Sequence, residues 1–138
     1  MAEIRPLRDR VPDSEKITIN LGYVDLGRID LLVQEGFYSN RSDFIRTAIR
    51  NGLDSHRDVL SRSVERHMMD MGLRDFTRAE LEAARKAGEV LHVKVVGLVR
   101  FDPDVSPELA RATIGSISVL GALQASPELR KALADRIL

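Results

Sequence analysis

The sequence predicts an α+β chain: one strand and two helices first, then a helical linker, then a small C-terminal α/β oligomerisation module. Three observations carry this reading. Lys16–Leu21 alternates strictly between polar and apolar residues, which is the period of a half-buried strand. Two stretches with helical apolar spacing follow it, at about 26–35 and 41–53. A β-rich run, Leu91–Phe101, comes only after a long middle segment that reads as helical.

The strand sets the terms for the rest. Ile17, Ile19 and Leu21 share one face, and Lys16, Thr18 and Asn20 share the other. An ammonium, a hydroxyl and a carboxamide in a row are group types that reach phosphates and base edges. A lone strand is not stable in water, because its backbone needs a partner and its apolar face needs a cover. No second strand follows at hairpin distance. The partner must come from a distant part of the chain or from another copy of it.

Asp25 is a candidate N-cap for the first helix, in which Leu26, Ile29, Leu32 and Val33 recur at helical spacing. Gly36 suits the left-handed residue that closes a helix. In Ser39-Asn40-Arg41-Ser42-Asp43, Asn40 can cap the second helix and Asp43 stands where a capping-box acid belongs. Phe44, Ile45, Ala48, Ile49 and Leu53 form that helix's apolar stripe, with Arg46 and Arg50 on its exposed side. A capped helix start, with free N–H groups and the positive end of the dipole, is an anion anchor. Capping alone also accounts for Asn40 and Ser42.

The order strand, helix, glycine turn, capped helix, and above all Gly36-Phe37-Tyr38-Ser39-Asn40-Arg41-Ser42-Asp43-Phe44-Ile45-Arg46 followed by Ala48 and Ile49, resembles the ribbon-helix-helix family of bacterial and archaeal regulators. The likeness is to its CopG/ParD/NikR branch and covers about Glu15–Leu53. The resemblance implies an intertwined dimer, whose two strands form an antiparallel ribbon that enters the major groove of double-stranded DNA. It makes Lys16, Thr18 and Asn20 base-contacting residues and puts Asn40, Arg41 and Ser42 at a phosphate clamp. Dimerisation would supply the missing strand. It would also pool Ile17, Ile19, Leu21, Leu32, Val33, Phe44, Ile45 and Ile49 of both chains into one core, since a unit this small has too little of its own.

Around this domain, expected at 15–54, the remaining segments read as follows. Residues 1–14 carry Pro6, Pro12 and mixed charge, and read as an arm. A solvated tail explains it; the alternative is that Arg5, Arg8 and Arg10 follow a nucleic-acid backbone. Residues 55–89 read as a helical connector, with one helix from about Val59 to Met71, a stop at Gly72, and a second helix opened by the Thr77/Glu80 capping box and closed by Gly88. Residues 90–138 read as a β-rich module with a terminal helix running through Leu133 to Ile137. There, Val-Gly-Leu-Val then Ser-Pro-Glu-Leu is echoed by Leu-Gly-Ala-Leu then Ser-Pro-Glu-Leu, about 20 to 24 residues apart. That pattern predicts a β–turn–helix unit used twice, in a small sheet completed in an oligomer.

Composition narrows the function. The formal net charge is zero, so affinity for DNA cannot rest on bulk positive charge. There is no cysteine, which removes disulfides and thiolate metal sites. His56, His67 and His92 are scattered, so no metal site and no cofactor are expected. The start of the chain lacks an apolar signal core, and no run approaches membrane-spanning length, so no membrane association and a cytoplasmic, nucleoid-associated location are expected. No nucleophile and base pair is evident, which argues against an enzyme. The leading expectation is a sequence-specific transcriptional regulator, a repressor, acting as a homodimer or a higher oligomer such as a tetramer. The alternatives are an antitoxin with a toxin partner, and an oligomer that bridges DNA.

Overall fold

The computed structural model describes residues 14–138. The expected arm at 1–14, with Arg5, Arg8 and Arg10, lies outside them except for its last residue. The chain divides into two compact units, one ending at Arg57 and the other spanning Asp58–Leu138.

The first unit holds helices α1 (Tyr23–Gln34) and α2 (Arg41–Ser55). Gly22, not the expected Asp25, is the cap of α1, and no side chain bonds there. Asp25 lies in the first turn instead, where a carboxylate is favoured by the helix dipole. The end of α1 is a Schellman turn. Gly36 has φ +87°, its N–H donates to the Val33 carbonyl (3.1 Å), and the Phe37 N–H donates to the Leu32 carbonyl (3.0 Å). Tyr38 then meets Phe44 edge-on, with ring centroids 5.0 Å apart, which fixes the turn against α2.

The second unit takes in α3 (Arg57–Arg66) after its first residue and continues as β1 (Asp70–Phe76), α4 (Arg78–Lys86), β2 (Leu91–Phe101), α5 (Pro107–Thr113), β3 (Ile114–Gln124) and α6 (Pro127–Ala132). The strands form one parallel sheet in the order β1-β2-β3. The stretch expected to be a wholly helical connector therefore contains a strand. The expected helix to Met71 ends at Arg66, and Met68 takes φ +52° to break out of it. Gly72, expected as a helix stop, is in the middle of β1.

The expected duplication is present, and β1–α4 makes it threefold. Each strand feeds a helix whose first turn is capped by a hydroxyl. Thr77 accepts from the Glu80 N–H (3.1 Å), Ser106 from Leu109 (3.2 Å) and Ser126 from Leu129 (3.2 Å). Pro107 and Pro127 follow two of these caps, where a missing N–H costs nothing. The last α-helix stops at Ala132, a 3-10 turn follows at Ala134–Arg136, and the Ile137 N–H closes it on the Leu133 carbonyl (3.1 Å); Ile137 itself bridges Ile117 in parallel, and the Leu138 N–H donates to the Ile117 carbonyl (2.8 Å).

Gly72, Gly97 and Gly121 stand opposite one another across all three strands. Their φ values are +128°, +139° and +125°, a region open essentially to glycine alone. A Cβ on Gly97 would overlap the Gly72 carbonyl oxygen, and one on Gly121 would overlap that of Gly97. The repeats stack only because Gly97 and Gly121 lack a side chain; at Gly72 there is open space, and the backbone conformation alone favours glycine.

The core of this unit lies on one face of the sheet. Val93, Val95, Val99 and Phe101 of β2, with Ile114 and Ile117 of β3, cluster with Leu81, Leu109, Ala110, Leu129 and Leu133 from the helices. Phe76 stacks on Phe101 with centroids 5.0 Å apart.

Candidate nucleic-acid interface

Lys16–Leu21 leads into α1 in no regular element, and among the described residues it joins no ladder. Lys16, Thr18 and Asn20 are exposed. So are the apolar residues of its other face: Ile17 is 72% exposed and Ile19 57%. Strand geometry requires a partner's backbone, and among the described residues this segment has none.

Behind this segment is an apolar cleft of about 570 Å³, lined by Ile19, Leu21, Ile29, Leu32, Phe44 and Ile45 among others. Of the residues expected to form a pooled core, Leu32, Val33, Phe44 and Ile45 are half-buried, and Ile17, Ile19, Leu21 and Ile49 are exposed. Ile29 is the one fully buried residue of α1, and α2 has none. Ile29 belongs with that group, and its spacing three residues after Leu26 and three before Leu32 signals it.

The start of α2 is built as its sequence suggests. Asn40 accepts from the Asp43 N–H (2.8 Å), and the Asp43 carboxylate accepts from the Ser39 N–H (2.9 Å). This reciprocal pair fixes the first turn, leaving the earliest N–H groups directed out along the axis. Ser42 is exposed at this end. Arg41 is engaged elsewhere: its Nε and one terminal nitrogen donate to the two carboxylate oxygens of Asp30 on α1, both at 2.8 Å. That hydrogen bonding holds the Asp30 carboxyl below its usual range and raises the Arg41 guanidinium further. Asp30 is the partner that sequence reading does not find, because no local spacing joins it to Arg41. Of the histidines, His56 bonds the Gly52 carbonyl and His92 bonds Ser116 (both 2.9 Å).

An exposed polar row on an unpaired segment, a capped helix start and an open apolar cleft are thus brought together in a mixed helix-and-sheet chain. The chain belongs to the ribbon-helix-helix transcriptional regulator family, whose profile it matches over residues 12–130. Members of that family bind DNA and usually dimerise. The match extends well past the second helix and spans the residues of the parallel sheet. No curated protein and no solved structure matches the chain. Among the described residues, no helix is long and apolar enough to cross a membrane.

Proposed function

We propose that two copies of this chain pair their Lys16–Leu21 segments into an antiparallel ribbon that reads DNA in the major groove, and that the protein acts as a repressor at its site. The observation that carries this is the unpaired alternating segment beside an open apolar cleft. Pairing two such segments satisfies both backbones. It also brings Ile17, Ile19 and Leu21 of each chain over the half-filled cleft of α1 and α2. The same pairing sets two copies of Lys16, Thr18 and Asn20 on the outer face of the ribbon. There Lys and Asn match the acceptors and donors of base edges, and Thr matches either a polar edge or the thymine methyl.

The N-termini of the two α2 helices grip flanking phosphates in this reading. Asn40 and Ser42 hold the clamp in shape, and the backbone N–H groups supply the anion contacts. Arg41 joins the clamp by leaving Asp30. Zero net charge makes this a reader of specific contacts with a modest electrostatic footprint. Repression then follows from occupancy of a promoter. The folded, separately cored unit at Asp58–Leu138 is unlike the disordered tail an antitoxin offers its toxin, which is why the regulator reading is preferred.

The test is genome-wide capture of DNA by the full chain, followed by salt titration at the best site. A recurrent two-fold-symmetric site, bound about a thousandfold or more tighter than random DNA, is the expected result. Equal affinity for all sequences would contradict it.

A further inference from the structure

The sheet of the second unit is parallel, yet the helical residues of its core meet only one face. On the other face, two rows of three apolar side chains cross the strands: Met71, Val96 and Leu120, then Leu73, Leu98 and Ala122. Met71, Leu73 and Leu120 are 63%, 56% and 63% exposed. Polar rows bound this grid. Lys94 and Ser118 lie at one end, with Asp75, Arg100 and Gln124 at the other. Arg100 Nε is 3.2 Å from Asp75 Oδ1, so the latter end is internally neutralised. An apolar centre between polar edges is how interfaces are built, and parallel sheets are almost always covered on both faces.

We propose that the cover is the same face of the second chain within the dimer. The inference rests on the dimeric reading given above. Area selects this occupant. With three strands and a seven-residue β1, the face measures about 300 Å² per chain by strand spacing and rise. Two such faces bury about 600 Å², well short of the ~1,200 Å² that holds free partners together. The area is sufficient only for a surface already tethered nearby, at the millimolar effective concentration that a short connection provides. In a dimer held by its N-terminal halves, the second copy of this face is tethered in that way, and it offers the same apolar centre between polar edges.

Shape agrees. A two-fold axis along β2, between the sheets, lays β1 of each chain over β3 of the other. Leu73 then falls over Ala122, large against small, and Asp75 over Gln124, while Lys94 and Arg100 on β2 meet their own copies at the two ends of the face, Arg100 with the Asp75 carboxylate of its own chain beside it. Leu98 lies at the axis and meets its own copy.

The chain has no cysteine, so one substitution gives one thiol per chain. Full-length Leu98→Cys is treated with a short bismaleimide and compared with Lys131→Cys, an exposed position on α6. Leu98→Cys is expected to cross-link on the order of a hundredfold faster, at a light-scattering mass of two chains that does not change with concentration. Adding Met71→Glu and Leu120→Glu should suppress the cross-link and leave that mass unchanged. Cross-linking that rises with concentration alongside a four-chain mass would overturn the proposal, because the face then joins separate dimers. A two-chain particle with no cross-linking above Lys131→Cys would overturn it while sparing the dimer. A one-chain particle would reject the dimer reading itself, and this inference with it.

Discussion

The Arg41 guanidinium on α2 donates two hydrogen bonds of 2.8 Å to the Asp30 carboxylate on α1. It is the one ion pair recorded between these helices among the described residues. It also ties up the cation expected at the phosphate clamp. Both side chains are about half exposed, so the pair's part in stability is small, and its interest lies in competition. Asp30→Asn should free Arg41 before binding and tighten DNA binding at low salt, because Arg41 no longer has to leave a carboxylate to reach the phosphate. Arg41→Ala should weaken binding and flatten the log affinity against log salt slope by about one. An unchanged slope in Arg41→Ala would remove Arg41 from the clamp.

The same pair has a pH signature. Asp30 is lowered in the folded chain, first by its hydrogen bonds to Arg41 and then by the guanidinium's charge, against opposing desolvation. A carboxyl depressed on folding stabilises the fold above its ordinary range, and that contribution is lost as pH falls through the depressed value. The Asp30 carboxyl carbon, followed by NMR, should titrate below free aspartate in the native chain and move up in Arg41→Ala. Identical midpoints in the two proteins would contradict the pairing in solution.

Asn40→Ala removes the acceptor of the Asp43 N–H. The first turn of α2 should lose about 1 kcal/mol, seen as a lower denaturant midpoint at unchanged slope. Asn40→Gly should cost only a few tenths of a kcal/mol. Equal losses in the two variants would mean that the side-chain bond is not what the cap contributes.

Gly97→Ala tests the stacked repeats. The new Cβ meets both an unfavourable φ of +139° and the Gly72 carbonyl. Neither is a flexible side-chain end that could move aside. The cost should be on the order of 3 kcal/mol or more, visible in thermal unfolding. Gly52→Ala in α2, which has open space around it, should be stabilising by up to about 1 kcal/mol. Tolerance of alanine at Gly97 would mean that the strands do not pair in this register.

These contrasts indicate what the sequence makes legible. The first unit is readable because its signals are local. The Asn40 cap, the Gly36 turn and the apolar stripe of α2 each involve residues within a few positions of one another. The second unit is half readable. β2 alternates cleanly in Val93, Val95, Val99 and Phe101, and the Ser-Pro caps of α5 and α6 declare themselves. β1 does not. The positions it turns toward the helices begin Asp70, Gly72, Arg74, and its apolar Met71 and Leu73 point the other way. Val64, Met68 and Met71 meanwhile continue a helical period from α3. What decides for a strand is non-local: Gly72 in line with Gly97 and Gly121, and Phe76 stacked on Phe101. Arg41–Asp30 is hidden for the same reason. Lys16–Leu21 is the opposite case, since its pattern declares a strand that, among the described residues, finds no partner.

Dimerisation and reading of DNA are separable on the two faces of that segment. Ile19→Asp places a charge where two apolar faces should meet, and should abolish the dimer together with folding of the first unit, measured by light scattering and circular dichroism. Thr18→Ala should leave the mass unchanged and cost about 1–3 kcal/mol of specific binding. A dimer that persists in Ile19→Asp would put the interface elsewhere.

The most direct measurement is the affinity of the full chain for its preferred site with Lys16, Thr18 and Asn20 all replaced by alanine, set beside its affinity for random DNA. The expected result is a two-chain particle that still binds random DNA but has lost its preference for the site. Full preference retained by the triple variant would contradict the assignment of this strand as the part that reads DNA.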